Sequence, residues 1–169
     1  EAFWNCEAFM WRRKIDMEKR KLIRNELQKI LGANDLKNLD IGCGSYCYVP
    51  SIAFDCSKKM LQLNDSSLKK VCGDLEKKWP FETNSFSSIT AIFVLNYLEN
   101  IDSVISEAKR VLFELGKFVV VISSKGVSEL HQLQEKQSKD QLTWKQEFLK
   151  YFDVVNCYDK EDLWFFVCE

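Results

Sequence analysis

The feature that most constrains the fold is the alternation of short apolar runs, typical of buried strands, with amphipathic helical segments. The pattern predicts strands over residues 36–41, 51–54, 71–73, 86–95, 117–123, 152–158 and 163–168. Strands that alternate with helices usually pair in parallel, so the chain is predicted to be α/β, with a mostly parallel sheet covered on both faces. The last two strands follow each other without a helix, which allows the last strand to be antiparallel.

Helix boundaries are predicted from periodicity and capping residues. Apolar residues recur at three- and four-residue steps over residues 6–31, which predicts one long helix there. Asp102 is the predicted N-cap of a later helix, which Gly116 is predicted to end. A capping box of Ser138 and Gln141 predicts one more helix before the final strands.

Length, composition and charge restrict the class of protein. With 169 residues, 46% of them hydrophobic, the chain is predicted to be a single domain over residues 1–169. The net charge of −1 disfavours a polyanion-binding protein, which would carry a basic excess. The longest uncharged stretch, residues 83–98, is too short and too polar to span a bilayer. Nucleic acid and membrane are therefore disfavoured as partners, and the oligomeric state stays open.

The cysteines favour free thiols over disulfides or a metal site. They are Cys6, Cys43, Cys47, Cys56, Cys72, Cys157 and Cys168, an odd number without a C-x-x-C pair. Cys43 and Cys47 are close in sequence, but His131 is the single histidine and no second close cysteine pair exists, so no metal site is predicted. Thiols packed as small apolar groups in a reducing compartment predict a cytoplasmic protein.

Glycines and polar residues follow the predicted strands, at the ends where open α/β sheets bind ligands. They are Asp40, Gly42 and Gly44 after the first strand, Asp55 after the second, Asp74 near the third, and Asn96 and Tyr97 after the fourth. Glycine allows close backbone approach to a ligand, but tight turns also need it for geometry alone. Cys47 stands where a dinucleotide-binding G-x-G-x-x-G loop has its third glycine, so a nicotinamide or flavin site is disfavoured.

Five segments in order resemble the motifs of class I S-adenosylmethionine-dependent methyltransferases. They are NLDIGCGS (38–45), AFDCSKKML (53–61), GDLE (73–76), WPF with NSF (79–86), and EAKRVL with GK (107–117). The resemblance implies a three-layer α/β sandwich with a mostly parallel seven-stranded sheet, the last strand antiparallel. It also implies transfer of a methyl group from S-adenosyl-L-methionine, and a small-molecule substrate is the favoured acceptor.

The resemblance implies roles in holding S-adenosyl-L-methionine. Gly42 and Gly44 would let the main chain lie against the methionine part, and Asp40 would help to hold its amino group. Asp55 would accept hydrogen bonds from both ribose hydroxyls, and Asp74 would accept one from the adenine amine. The other implied cofactor-binding residues are Cys56, Leu75 and Leu95. Each aspartate is alternatively a turn or helix-cap residue.

The sequence departs from the family pattern in the first loop. Tyr46 replaces the third glycine of the first motif, and only 15 residues separate Asp40 from Asp55. With Pro50 before the second strand, a loop is predicted in place of the usual helix. The adenosine pocket is therefore expected to be more open on this side, or covered by Tyr46 and Tyr48.

Asn96 and Tyr97 are the candidate catalytic residues, because relatives place the corresponding residues near the transferred methyl group. Tyr97 would hydrogen-bond or deprotonate a nucleophile, or alternatively serve only in packing. Methyl transfer is an in-line displacement that depends mainly on positioning, so no particular base is required. His131 is predicted to lie in a helix after the fifth strand, at the surface.

Residues 1–31 are the predicted helical lid over a cofactor-binding core of residues 36–169, since no substrate domain is inserted elsewhere. The aromatic residues of the lid segment, which either cover the site or belong to the core, are Phe3, Trp4, Phe9 and Trp11. The alternative to an enzyme is a non-catalytic methyltransferase-like module that binds the cofactor or a partner protein. A nucleic-acid methyltransferase is disfavoured by the balanced charge.

Overall fold

The computed structural model describes residues 1–32 and 37–169, apart from the side chain of Arg12. The helices are α1 Ala2–Lys14, α2 Met17–Leu31, α3 Lys58–Leu63, α4 Ile101–Val111, α5 Glu129–Gln132 and α6 Gln141–Phe148. The strands are β1 Asn38–Ile41, β2 Ser51–Asp55, β3 Lys69–Cys72, β4 Phe86–Ile92, β5 Leu112–Ser123, β6 Val155–Lys160 and β7 Leu163–Cys168. A short 3₁₀ turn, Leu95–Tyr97, follows β4.

The seven strands form one sheet in the order β3-β2-β1-β4-β5-β7-β6. The first five strands pair in parallel, whereas β7 runs antiparallel to β5 and to β6. The predicted mostly parallel seven-stranded sheet with an antiparallel last strand is thus confirmed. The strand order reverses between β1 and β4, which creates a crevice at their carboxyl ends. The predicted first strand began at Leu36, which lies outside the described residues.

Helices cover both faces of the sheet, so the three-layer architecture is confirmed. Val120 and Phe166 lie in the core that contains α4 and α6, whereas Val119 and Phe165 lie in the core that contains α2. Successive side chains of a strand point to opposite faces. Because both faces are covered, the central strands are apolar at nearly every position, which is why they could be recognised from the sequence.

The N-terminal segment holds two helices, so the single helix predicted over residues 6–31 is wrong. α1 ends at Lys14, and Ile15 has an extended backbone with φ −99° and ψ 112°. Asp16 then caps α2, because its side chain accepts a hydrogen bond of 2.7 Å from the N–H of Lys19. Ile15 is buried and continues the apolar periodicity across the break, so the pattern contains no sign of it.

α4 begins and ends earlier than predicted. Its N-cap is Asn100, and Asp102, the predicted cap, lies in the first turn. The helix ends at Val111 and β5 follows directly, so Gly116 lies within a strand and does not end the helix. The N–H of Ser85, in the loop before β4, donates a hydrogen bond of 2.8 Å to the Val111 carbonyl. This tertiary hydrogen bond satisfies a carbonyl at the helix end, where local sequence signals cannot report it.

α6 begins two residues later than the predicted capping box implies, and it has a different cap. Asp140 is its N-cap and accepts a hydrogen bond of 2.7 Å from the N–H of Thr143. The capping box predicted from Ser138 and Gln141 is therefore wrong. Aspartate satisfies the same orphan N–H groups as serine, so the two capping patterns could not be distinguished from the sequence.

Candidate active site

The loop after β1 lies close against the neighbouring strands because of its two glycines. Gly42 has φ +58° and Gly44 has φ +57°, both in the left-handed region that favours glycine. A Cβ atom on Gly42 would lie 2.8 Å from the Cβ of Val94 and overlap its Cγ2. The Gly42 N–H donates 2.7 Å to the carbonyl of Phe54, in β2. These glycines are therefore required by backbone conformation and by close approach.

Asp55, the last residue of β2, ties this loop to α3. Its Oδ2 accepts a hydrogen bond of 2.9 Å from the N–H of Gly44, and its Oδ1 accepts one of 2.8 Å from the N–H of Ser57. Burial raises the pKa of Asp55, whereas these hydrogen bonds oppose that rise. Each carboxylate oxygen has a further lone pair. The carboxylate can therefore accept additional hydrogen bonds from a ligand in the crevice.

A cavity of about 520 Å³ opens at the carboxyl ends of the strands, next to the loop after β1 that contains Gly42 and Gly44, which we call the glycine loop. This volume is in the range of small-molecule sites. Of the residues predicted for the site, those that line the cavity are Gly42, Gly44, Asp55, Cys56, Asp74, Leu75 and Tyr97. The predicted residues Asp40, Leu95 and Asn96 do not line it. The structure thus brings most of the predicted set around one cavity and leaves three beneath or beside it.

Asp40 lies in a buried polar network on the sheet. Its Oδ1 accepts a hydrogen bond of 2.9 Å from the Thr90 hydroxyl. Asn38 donates a hydrogen bond of 3.0 Å from its Nδ2 to Thr90 Oγ1. Its Oδ1 accepts a hydrogen bond of 2.7 Å from the Ser88 hydroxyl. Burial raises the pKa of Asp40 to about 7, although hydrogen bonds with Thr90 and Cys47 lower it. The carboxyl group therefore changes its charge near neutral pH.

Asp74 and Leu75 follow β3 and line the β3 end of the cavity. Asp74 is exposed, and its Oδ1 accepts a hydrogen bond of 3.0 Å from the N–H of Glu76. The Lys77 ammonium lies 3.8 Å from the other carboxylate oxygen. Leu75 is buried. This end of the cavity therefore combines an apolar wall with a solvent-accessible carboxylate.

Asn96 and Tyr97, the predicted catalytic pair, occupy different surroundings. Asn96 Nδ2 donates 2.8 Å to Glu135 Oε1, and the Asn96 carbonyl accepts from the N–H groups of Lys136 and Gln137. The Tyr97 side chain lines the cavity, and its buried hydroxyl lacks a hydrogen-bond partner among the described residues. Burial raises the pKa of Tyr97, so the hydroxyl stays protonated at neutral pH and can donate. Of these two residues, Tyr97 lines the cavity, whereas Asn96 holds the segment of residues 135–137 in place.

The end of β4 shapes the cavity in a way that the sequence analysis missed. The predicted strand ran to residue 95, but β4 ends at Ile92, and Phe93 has a positive φ of +55°. Phe93 and Val94 turn out of the sheet and line the cavity. An apolar run indicates burial but not the residue at which a strand ends, so no local signal marked these two.

Two tryptophans of α1 close one side of the cavity. The Trp4 ring packs edge-on against Tyr97, with centroids 5.0 Å apart. Trp11 packs edge-on against Trp4 at 5.7 Å, and both tryptophans line the cavity. Phe9 on the same helix is 60% exposed and does not line it.

His131 is fully buried beneath α1, so the prediction that it lies at the surface is wrong. Its Nδ1 shares a hydrogen bond of 2.7 Å with the Ser128 hydroxyl, and its Nε2 lies 3.4 Å from Glu7 Oε2. The imidazole centroid is 6.0 Å from that of Trp4 and 5.0 Å from that of Trp11. Burial lowers its pKa. His131 therefore joins α5 to α1, through contacts remote in sequence.

A loop joins β1 to β2, as predicted. Tyr46 and Tyr48 pack edge-on within it, with centroids 5.2 Å apart. Both line a second, smaller cavity together with Asp40 and Arg20, and neither lines the larger cavity. They therefore do not cover the larger cavity, contrary to one of the two expectations for this loop.

Gly42→Ala is expected to lower the free energy of unfolding by about 2–4 kcal/mol, since a left-handed backbone and an overpacked contact each destabilise. Urea unfolding monitored by circular dichroism measures the loss. In a Val94→Ala background the loss should be smaller, because the overlapping Cγ2 atom is gone. Equal losses in the two backgrounds would contradict the proposed contact.

Comparison with known proteins agrees with this geometry. Residues 39–120 match a family model described as a methyltransferase domain. This segment, just under half of the chain, is therefore similar to methyltransferase domains. The matched segment begins in β1 and ends within β5, so it contains the glycine loop, Asp55, Asp74 and Tyr97.

Several methyltransferases are similar to this chain in sequence or fold. The Caenorhabditis elegans protein named sterol 4-C-methyltransferase strm-1 is 29% identical over 109 residues, which cover 55% of this chain. The match covers 33% of that curated relative's length. An Aquifex aeolicus SAM-dependent methyltransferase superposes with a TM-score of 0.71 at 14% identity, covering 93% of this chain and 95% of that one. A second structure is geranyl diphosphate C-methyltransferase from Streptomyces coelicolor A3(2), in complex with Mg²⁺, geranyl diphosphate and S-adenosyl-L-homocysteine. It superposes with a TM-score of 0.63 at 14% identity, covering 84% of this chain and 64% of that one.

Two further observations concern membranes and metals. Across residues 1–32 and 37–169, no helix combines the length and apolar character needed to cross a membrane. Within the same residues, no group of three or more His, Cys, Asp or Glu side chains is arranged to hold a metal ion.

Proposed function

We propose that this chain is a methyltransferase that binds S-adenosyl-L-methionine in the 520 Å³ cavity and transfers its methyl group to a small-molecule acceptor by in-line displacement. The observation that carries the proposal is the Asp55 carboxylate, fixed by the N–H groups of Gly44 and Ser57 in the wall of that cavity. In this position it would accept hydrogen bonds from the two ribose hydroxyls. The S-adenosyl-L-homocysteine bound by the Streptomyces coelicolor relative supports a cofactor of this chemistry.

The remaining predicted cofactor residues would act from two sides of this carboxylate. Cys56, Asp74 and Leu75 line the cavity beyond β2, where the adenine would lie, with Asp74 accepting from its amine. Leu95 is buried beside the cavity, and we propose that it supports the wall rather than touching the cofactor. Asp40 would act from behind the glycine loop.

Residues 1–31 would serve as the lid of the site. Trp4 and Trp11 line the cavity, and Asn5 accepts a hydrogen bond of 2.8 Å from Ser57, the N-cap of α3. An aromatic lid excludes water and offers apolar contact to the acceptor. The names of two relatives specify a sterol and geranyl diphosphate as acceptors, which supports an acceptor with a large apolar part.

Displacement at a sulfonium methyl group requires alignment of the acceptor atom with the carbon–sulfur bond. The aromatic walls would orient the acceptor, and the protonated Tyr97 hydroxyl, which is buried beside the cavity, would donate a hydrogen bond to it once the acceptor displaces the side chains that cover it. With its raised pKa, Tyr97 is a hydrogen-bond donor at neutral pH and not a general base.

The test is formation of S-adenosyl-L-homocysteine from methyl-deuterated S-adenosyl-L-methionine, followed by mass spectrometry with sterol and prenyl acceptors. The proposal predicts acceptor-dependent product that carries the deuterated methyl group. If the chain binds the cofactor but gives no product with any acceptor, the enzyme interpretation is contradicted and a non-catalytic cofactor-binding module is supported.

Tyr97→Phe is expected to lower kcat about tenfold, the value of one lost hydrogen bond to the acceptor. The affinity for S-adenosyl-L-homocysteine should stay unchanged, because the phenyl ring keeps the edge-on contact with Trp4. Steady-state kinetics together with ligand titration separate the two effects. An unchanged kcat would show that Tyr97 serves only in packing.

A further inference from the structure

Arg20, a buried arginine on α2, has no carboxylate partner in the part of the chain that the structure describes. Arg20 is 8% exposed, and its Nε has no hydrogen-bond partner among the described residues. Within the same part of the chain, no carboxylate lies within ion-pair distance of it. Its guanidinium carbon lies 5.0 Å from the centroid of the Tyr46 ring. Stacking on an aromatic face satisfies none of the N–H donors, and burying an unpaired cation is unfavourable, so Arg20 is poised to receive an anion.

The surroundings of Arg20 place it behind the glycine loop. Arg20 lines the small second cavity together with Asp40 and Cys43, the residue between the two loop glycines. This cavity has a volume of about 10 Å³, roughly one water molecule. A buried cation and a buried carboxyl group therefore face one small space on the reverse side of the loop.

Trp11 separates this space from the larger cavity. It lines both cavities, and a Cβ atom on Gly44 would lie only 3.2 Å from its indole ring. The indole therefore occupies the surface of Gly44, where the methionine part of the cofactor would lie. Phe93 also lines both cavities, so the two spaces are adjacent. Movement of Trp11 away from Gly44 would join them.

We infer that Arg20 is the carboxylate-binding residue of a subsite for a zwitterion, in which Asp40 receives the ammonium group. This subsite opens to the cofactor when Trp11 moves away from Gly44. This inference rests on the proposed function, since the α-amino-acid end of S-adenosyl-L-methionine is the zwitterion. Carboxylate and guanidinium form paired, charge-assisted hydrogen bonds. Binding would therefore give Arg20 the counter-charge that it lacks in the described part of the chain.

The experiment compares two ligands that differ only by the carboxylate. S-adenosyl-L-homocysteine and its decarboxylated analogue, 5′-(3-aminopropylthio)-5′-deoxyadenosine, are titrated calorimetrically into the chain and into Arg20→Gln. Arg24→Gln is the matched control, because Arg24 lies one helical turn further on, also contacts Tyr46, and is exposed. Thermal unfolding verifies that each variant is folded, and Arg20→Lys replaces Arg20→Gln if the latter is not.

The inference predicts that Arg20→Gln weakens S-adenosyl-L-homocysteine binding about 10- to 100-fold. The variant should bind the decarboxylated analogue at least as tightly as the unaltered chain, and Arg24→Gln should bind both ligands as the unaltered chain does. Arg20→Lys should weaken S-adenosyl-L-homocysteine binding less than Arg20→Gln does, since lysine keeps the charge without the bidentate geometry. Unchanged S-adenosyl-L-homocysteine binding by the Arg20 variant, or an equal loss for both ligands, would overturn the inference. If the unaltered chain binds neither ligand, the proposed function itself fails.

Discussion

Asp55→Ala is expected to weaken S-adenosyl-L-homocysteine binding by more than about 100-fold, because two hydrogen bonds to a buried carboxylate would be lost. The substitution also removes the acceptor for the N–H groups of Gly44 and Ser57, which hold the glycine loop. Both consequences act on the same cavity wall. Calorimetric titration of the variant beside the unaltered chain measures the difference.

Two control variants separate these contributions. Asp55→Asn keeps one acceptor oxygen and nearly the same volume, so its loss should lie between those of the unaltered chain and Asp55→Ala. Asp74→Ala should weaken S-adenosyl-L-homocysteine binding by less than about tenfold, since a hydrogen bond to an exposed carboxylate contributes little net free energy. An Asp55→Ala variant that is folded and binds within a few-fold of the unaltered chain would contradict the assigned role.

Asp40→Asn is expected to raise the free energy of unfolding at pH 8 by about 2–4 kcal/mol, since one pKa unit corresponds to about 1.4 kcal/mol. Burial raises the pKa of Asp40 from 3.8 to about 7 in the folded chain. Below pH 4 the group is protonated in both states. Between pH 4 and 7 the unfolded chain releases the proton more readily, so this group's contribution to stability falls as the pH rises. Above pH 7 the folded chain contains a buried charge, which asparagine avoids while it still accepts from Thr90.

Urea unfolding at intervals from pH 4 to pH 8 measures this pH dependence. The difference in stability between Asp40→Asn and the unaltered chain should increase with pH across that interval and level off above pH 7. Asp74→Asn, at an exposed carboxylate, should stay within about 0.5 kcal/mol of the unaltered chain. A constant difference for Asp40→Asn across the interval would contradict the raised pKa.

The sheet was predictable because its signals are local and repeated. Strands such as β4 and β5, covered on both faces, leave continuous apolar runs, and helices between them force parallel pairing. Boundaries fixed by tertiary hydrogen bonds were not predictable. α4 ends where Ser85 binds the Val111 carbonyl, and the break between α1 and α2 lies at an apolar residue, Ile15, that continues the periodicity.

The candidate site was partly predictable for the same reason. Gly42, Gly44 and Asp55 occupy fixed offsets from strand ends, and the resemblance to a family supplied their roles. The burial of His131 and of Arg20 depends on packing between elements distant in the chain, which no spacing rule reports. Phe93 was assigned to a strand because apolar runs do not mark the residue at which the backbone turns away.

Calorimetric titration of S-adenosyl-L-homocysteine into the unaltered chain tests directly whether the cavity is a cofactor site. We expect saturable binding at one site with a Kd of roughly 10⁻⁶–10⁻⁵ M, corresponding to about 7–8 kcal/mol of binding free energy. Absence of binding at millimolar ligand would contradict the assignment of the cavity as a cofactor site.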